Sequence, residues 1–172
     1  MIRTARATPA SPAPHQVLSA PFAAERLVGF GFRCWMNGLD TGDINCWQTA
    51  FSEFAGSVGT ENAKTLVPGL SNWVRAVRGS AQRPIEIAPR DCARFCRDEC
   101  LAIAMVAACQ HSACPALKAC AFALIGSSEV NRALDAAEVF ADGLRRADQI
   151  LSPGSICNAA AMMPHHGSRL PS

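Results

Sequence analysis

Tyrosine is absent from this sequence, and aromatic residues make up only 6% of its 172 positions. Alanine fills many of the apolar positions instead. Alanine is the best helix former and packs poorly on a pleated surface, so helices are favoured over strands. Strong charge of either sign is also missing. The formal net charge of +2 is too small to point to a polyanionic partner. Arginines do concentrate between Arg75 and Arg97, but Glu86, Asp91, Asp98 and Glu99 dilute the run. It reads as a solvated helical face, and nucleic acid is not expected as a partner.

No apolar run is long enough to cross a bilayer. The longest, Leu101–Cys109 (LAIAMVAAC), reads as a buried helix segment, and no membrane association is expected. Residues 1–16 lack the apolar stretch of a secretory signal. They also lack acids, as transit peptides do, but their three prolines oppose the amphipathic helix such peptides form. The expected location is the cytoplasm rather than the mitochondrial matrix. Catalytic signatures are missing as well: there is no G-x-S-x-G, H-E-x-x-H, P-loop or dinucleotide fingerprint. Gly29-Phe30-Gly31 sits in a helical pattern without the strand a phosphate loop requires. An enzyme is not expected.

What the chain does have is enough apolar residues, 49%, to bury the core of one domain. The pattern predicts an all-α fold of five or six helices in an orthogonal or irregular bundle over residues 18–152. Residues 1–17 are expected to form a flexible tail and 153–172 a loose one. Ser19 can cap a first helix that ends near Asn37, with Gly38 as its left-handed stop. Gly29 and Gly31 within it imply a close helix contact or a local irregularity. Asp43 starts a second helix with Ile44, Trp47, Phe51 and Phe54 on one face, ending at Gly56. Thr60 caps a third, which Pro68 should kink or split. After a short extended crossing between Pro84 and Pro89, a fourth helix is expected from Asp91 to His111. Cys114-Pro115 opens a fifth that stops near Gly126. The last runs from Glu129 to Leu151, with Val130, Leu134, Ala137, Ala141, Leu144 and Leu151 as its core stripe. Trp47, Phe51, Trp73, Leu134 and Leu144 should centre the core.

Six of the nine cysteines fall between Cys92 and Cys120. In a reducing compartment they remain thiols, so metal binding, redox sensing or plain burial are preferred to a disulfide framework. On a continuous helix Cys92, Cys96 and Cys100 fall at about 0°, 40° and 80° of the wheel, opposite the arginines. A helix–turn–helix could fold Cys114 or Cys120 back toward Cys100. The candidate metal ligands are therefore Cys92, Cys96, Cys100, Cys109, His111, Cys114 and Cys120. Soft thiolates suit zinc, Cu(I) or an iron–sulfur cluster. The spacing matches no zinc-finger, ferredoxin or thioredoxin pattern.

The stripe of Cys92, Cys96 and Cys100, with Cys120, resembles the cysteine-rich four-helix bundles that store Cu(I). That resemblance implies Cu(I) held by thiols in the bundle interior. Those bundles spread thiols over all their helices, whereas here the third and last carry none.

Two alternatives stand beside the metal site. One is a metal-free helical module that binds a protein partner or itself, its thiols packed as small hydrophobes. The other is a redox switch in which neighbours such as Cys109 and Cys114 pair. A Cys–His nucleophile around His111 lacks evident oxyanion donors. Cys34 and Cys46 read as buried packing. Cys157 with His165 and His166 could make a loose site in the tail. Asp91, Asp98 and Glu99 are expected to serve a helix start and its solvated face.

Overall fold

A computed structural model describes residues 23–161. Among them the chain forms seven helices and no strand: α1 (Ala23–Thr41), α2 (Ile44–Val58), α3 (Thr60–Ser80), α4 (Arg97–Gln110), α5 (Cys114–Ile125), α6 (Asn131–Arg146) and α7 (Gly154–Ala160). The all-α expectation holds. Ser19, His165, His166 and the greater part of both expected tails lie outside the described residues.

α1 runs four residues past its expected end. Gly38 stays helical because the Trp47 indole of α2 packs against it, 2.4 Å from where a Cβ would stand. The left-handed residue after the helix is Gly42, at φ +73°. The other two glycines make close contacts rather than irregularities. A Cβ at Gly29 would meet the Phe95 ring at 2.6 Å and Ile103 at 2.8 Å, and one at Gly31 would meet Phe54 at 2.8 Å. Without side chains there, α1 lies directly on α2, on α4 and on the segment before α4.

α2 begins as expected, with Asp43 Oδ1 accepting from the backbone N–H of Asn45 at 2.9 Å. It passes Gly56 and stops at Gly59, whose φ is +84°. Of its apolar stripe Phe54 is buried and Trp47 and Phe51 partly so, but Ile44 stands 59% exposed. α3 is unbroken through Pro68. The proline lies on the exposed face, so the Lys64 carbonyl that loses its intrahelical donor is left to solvent rather than stranded in the core.

Between α1, α2, α3 and α6 runs an aromatic chain. Phe32 lies 5.5 Å from Trp73, Trp73 stacks at 5.5 Å on Phe140, and Phe140 lies 6.4 Å from Phe54. Trp73, Leu134 and Leu144 are buried as expected. α6 ends at Arg146, short of Leu151. A turn with Asp148 at φ +58° brings Leu151 into the core without a helix. Residues 154–160, assigned from sequence to the loose tail, form α7, which packs on α4.

The glycine contacts separate two substitutions of the same chemistry. Gly29→Ala should destabilise the fold by about 1–3 kcal/mol, because the Phe95 ring must shift to admit a methyl group. Gly56→Ala, where nothing lies within 4 Å of the added carbon, should stabilise it by about 0.5–1 kcal/mol through helix propensity. Urea unfolding followed by circular dichroism measures both, and equal signs would contradict the packing described.

Candidate functional site

The cysteine cluster does not sit on one helix. α4 starts at Arg97, six residues later than expected, with Cys96 as its N-cap. Cys92 therefore lies in the irregular segment 81–96, and the i, i+4 stripe of Cys92, Cys96 and Cys100 does not form.

The reason is a buried ion pair the sequence reading did not single out. Arg33 of α1 is 1% exposed and Glu99 of α4 is 0% exposed. Arg33 Nε donates to Glu99 Oε1 at 2.6 Å and Nη2 donates to Oε2 at 3.0 Å. The remaining guanidinium N–H groups go to the carbonyls of Pro89 (3.2 Å), Cys92 (2.7 Å) and Arg94 (2.7 Å). The Phe95 ring lies 5.2 Å from the guanidinium carbon. Burial opposes the charge on Arg33, but its bonds to Glu99 more than offset that, and its pKa is raised. Glu99 also accepts from the backbone N–H groups of Ala88 at 3.2 Å and Cys96 at 2.8 Å.

Asp98 holds the same segment from one residue earlier. Its carboxylate is gripped by Arg83 through two bonds of 2.7 and 2.8 Å and accepts from the Glu86 N–H at 2.9 Å. Arg83 also donates to the Ala123 carbonyl of α5. Asp98 and Glu99 thus begin the helix, as expected, but they are buried rather than on a solvated face.

The thiols divide between the two ends of α4. At the start, Cys96 Sγ lies 3.2 Å from the Glu86 carbonyl as its donor and completes a capping box with Glu99. Burial pushes this thiol up to about 11, against the lowering effect of the Glu99 and Asp98 backbone N–H groups. Burial likewise lifts Cys100 in the first turn to about 11. At the far end, Cys109 is pushed up to about 12, first by burial and then by Glu138. His111 follows α4, and its Nε2 lies 2.7 Å from the Leu151 carbonyl oxygen. A carbonyl only accepts, so that nitrogen carries the proton and is spent on the backbone. Cys114 is exposed at the first residue of α5, and Cys109 and Cys114 line one cavity of about 230 Å³ with Glu138 and Asp142. Cys120 is buried on α5 and pushed up to about 11 by burial alone. The nine residues from Cys100 to Cys109 rise about 14 Å along the helix axis, which separates the Cys96–Cys100 group from Cys109 and His111. Among the described residues, no three His, Cys, Asp or Glu side chains converge as metal ligands.

Outside the cluster, Cys34 and Cys46 are buried between α1 and α2, and burial raises Cys34 to about 11. A further cleft of about 360 Å³ opens between α1, α2 and the 81–96 segment, with Cys92 on its wall. No helix among the described residues is long and apolar enough to cross a membrane. Comparison with protein families, curated proteins and solved structures finds no match.

The ion pair can be tested by a double-mutant cycle. Arg33→Met or Glu99→Met alone should each cost about 3–5 kcal/mol, because each strands the other charge in the core. The double substitution should cost much less than the sum of the two. Denaturant unfolding of the three variants gives the coupling, and additive effects would show that the two groups act separately.

Proposed function

We propose that this chain is a metal-free helical interaction module in which the cysteines pack rather than ligate. The observation that carries this reading is the environment of the thiols. Five of them, at Cys34, Cys96, Cys100, Cys109 and Cys120, are raised to about 11 or 12 with burial as the first cause. A thiolate is the reactive nucleophile, so such sites resist a nucleophilic or redox role near neutral pH. The split of the 92–120 cluster between the ends of α4 supports the same conclusion. Ile44, Phe122, Val139 and Ile150, each more than half exposed, offer apolar purchase for a protein partner or a second copy. The reading places the chain in a reducing compartment, the cytoplasm, where its thiols stay reduced.

Elemental analysis of protein purified anaerobically, with thiol titration before and after unfolding, tests it. The expected result is folded protein without stoichiometric metal. Cys114 and Cys157, both exposed, should react in the native state, and the five raised thiols only on unfolding. One equivalent of zinc or Cu(I), or an iron–sulfur chromophore, would restore the metal-site reading. Rapid native oxidation that joins Cys109 to Cys114, with oxidised glutathione taking the two electrons, would favour the redox switch, for which their shared cavity is the supporting observation.

The raised thiols also set an alkaline limit. Their folded pKa values lie above the unfolded value of 9.0, so between pH 9 and about 11 the native state binds more protons than the unfolded one. Stability contributed by these groups is present below pH 9 and falls as pH rises through that window. Tyrosine is absent, and Lys64 and Lys118 are the lysines of the sequence, so thiols dominate the titration there. Unfolding free energy measured across the window should decline, and Cys100→Ala with Cys120→Ala should flatten the decline.

A further inference from the structure

The cleft between α1, α2 and the 81–96 segment has an apolar floor and charged edges. Leu27 is buried and Phe30 and Phe95 are half-buried, while Arg26, Glu53 and Arg90 stand exposed around them. Its volume of about 360 Å³ falls within the range of small-molecule sites. Arg33 also reaches the cleft, but its N–H groups are spent on Glu99 and three carbonyls. Arg90 is partly committed, donating to Thr49 Oγ1 at 3.1 Å and lying 3.9 Å from Asp43 Oδ2.

Arg26 and Glu53 differ from both. Among the described residues neither has a hydrogen-bond or ion-pair partner, and they do not pair with each other although they line the same cavity. Two opposite charges, each without a partner among the described residues, thus stand on the rim of the cleft beside aromatic surface. Residues 1–22, which lead into Ala23 at the edge of the cleft, contain no aspartate or glutamate to engage Arg26.

We propose that this cleft binds a small zwitterion, an α-amino acid or short peptide with an apolar side chain. Its carboxylate pairs with Arg26, its ammonium with Glu53, and its apolar group lies on Phe30 and Phe95. Guanidinium and carboxylate groups form charge-assisted bonds with such ends, and the half-buried rings supply the apolar contact. The inference is independent of the packed-thiol reading: it needs neither a thiol nor the absence of a metal, and a metal found in the chain would leave it standing.

Calorimetric titration of the full chain with leucine, phenylalanine and leucyl-phenylalanine tests the proposal. N-acetyl-phenylalanine, which lacks the ammonium, and phenylalaninamide, which lacks the carboxylate, serve as the blocked probes. The expected result is saturable one-to-one binding of at least one free zwitterion, weakened roughly tenfold or more by either block, as loss of a charged hydrogen bond would give. Arg26→Gln should abolish the penalty for blocking the carboxylate, and Glu53→Gln the penalty for blocking the ammonium. Both side chains are exposed, so circular dichroism of the variants should match the parent. No saturable binding by any of the three zwitterions would overturn the proposal, as would equal binding of free and blocked probes.

Discussion

Arg33 and Glu99 meet in the core with almost no exposure to water, and the path of the chain between α3 and α4 depends on them. Taking two charges out of water costs several kcal/mol for each, and their attraction alone does not recover it. The geometry here adds the missing bonds. The flat guanidinium directs its N–H groups to two carboxylate oxygens and to the carbonyls of Pro89, Cys92 and Arg94. A lysine, with one nitrogen, could not reach them all. The segment itself has few apolar groups to bury and its prolines donate no bonds. The pair therefore gives it register: a shift by one residue would leave buried N–H groups without acceptors.

The same economy appears at the other end of α4, in neutral form. Gln110 accepts the Leu151 N–H at 2.8 Å and donates to the Gln149 carbonyl at 2.8 Å, while His111 takes the Leu151 carbonyl. Glu25 of α1 then accepts from the Ser152 N–H and the Ser155 hydroxyl, fixing the approach to α7. α4 is thus an almost wholly buried rod, packed on α1, α5, α6 and α7. Each of its ends organises an irregular stretch of chain. Polar groups inside such a rod would go unpaired, which explains why its middle is Leu101–Ala108 and its hydrogen-bonding residues crowd the ends.

Helices with one apolar stripe were legible from the sequence, because the 3.6-residue period reports a single buried face. α6 shows this at Leu134, Ala137, Ala141 and Leu144, although its stripe omitted the buried Phe140, while in α2 only Phe54 of the stripe is fully buried. α4 carries no such period, since it is buried all round, and its start was misplaced for a related reason. The regular spacing of Cys92, Cys96 and Cys100 mimics a helical stripe, yet Cys96-x-x-Glu99 has the form of a capping box with cysteine in the serine position. That local signal competes with the stripe, and long-range bonds from Arg33 decide between them. The clue to Arg33 itself was an arginine within the apolar run LVGFGFRCWM of α1. Its partner lies 66 residues away, beyond the reach of any local pattern. Pro68 misled in the opposite sense: α3 continues through it, with the proline on the exposed face and the freed Lys64 carbonyl open to solvent.

Cys96 brings two opposing effects to one sulfur. It sits at the N-terminus of a fourteen-residue helix, where backbone N–H groups favour a thiolate and commonly make a cysteine reactive. Here those N–H groups do lower its pKa, and they lose to burial, with the Glu99 carboxylate adding to the rise. The carboxylate is present because Arg33 needs it. The bond network that fixes the 81–96 segment thus also holds the neighbouring thiol protonated. A helix N-terminus activates a cysteine only when the site stays open to water and free of acids, and the first turn of α4 meets neither condition. The density of cysteines in this chain is therefore best understood through what surrounds each sulfur, rather than through how many there are.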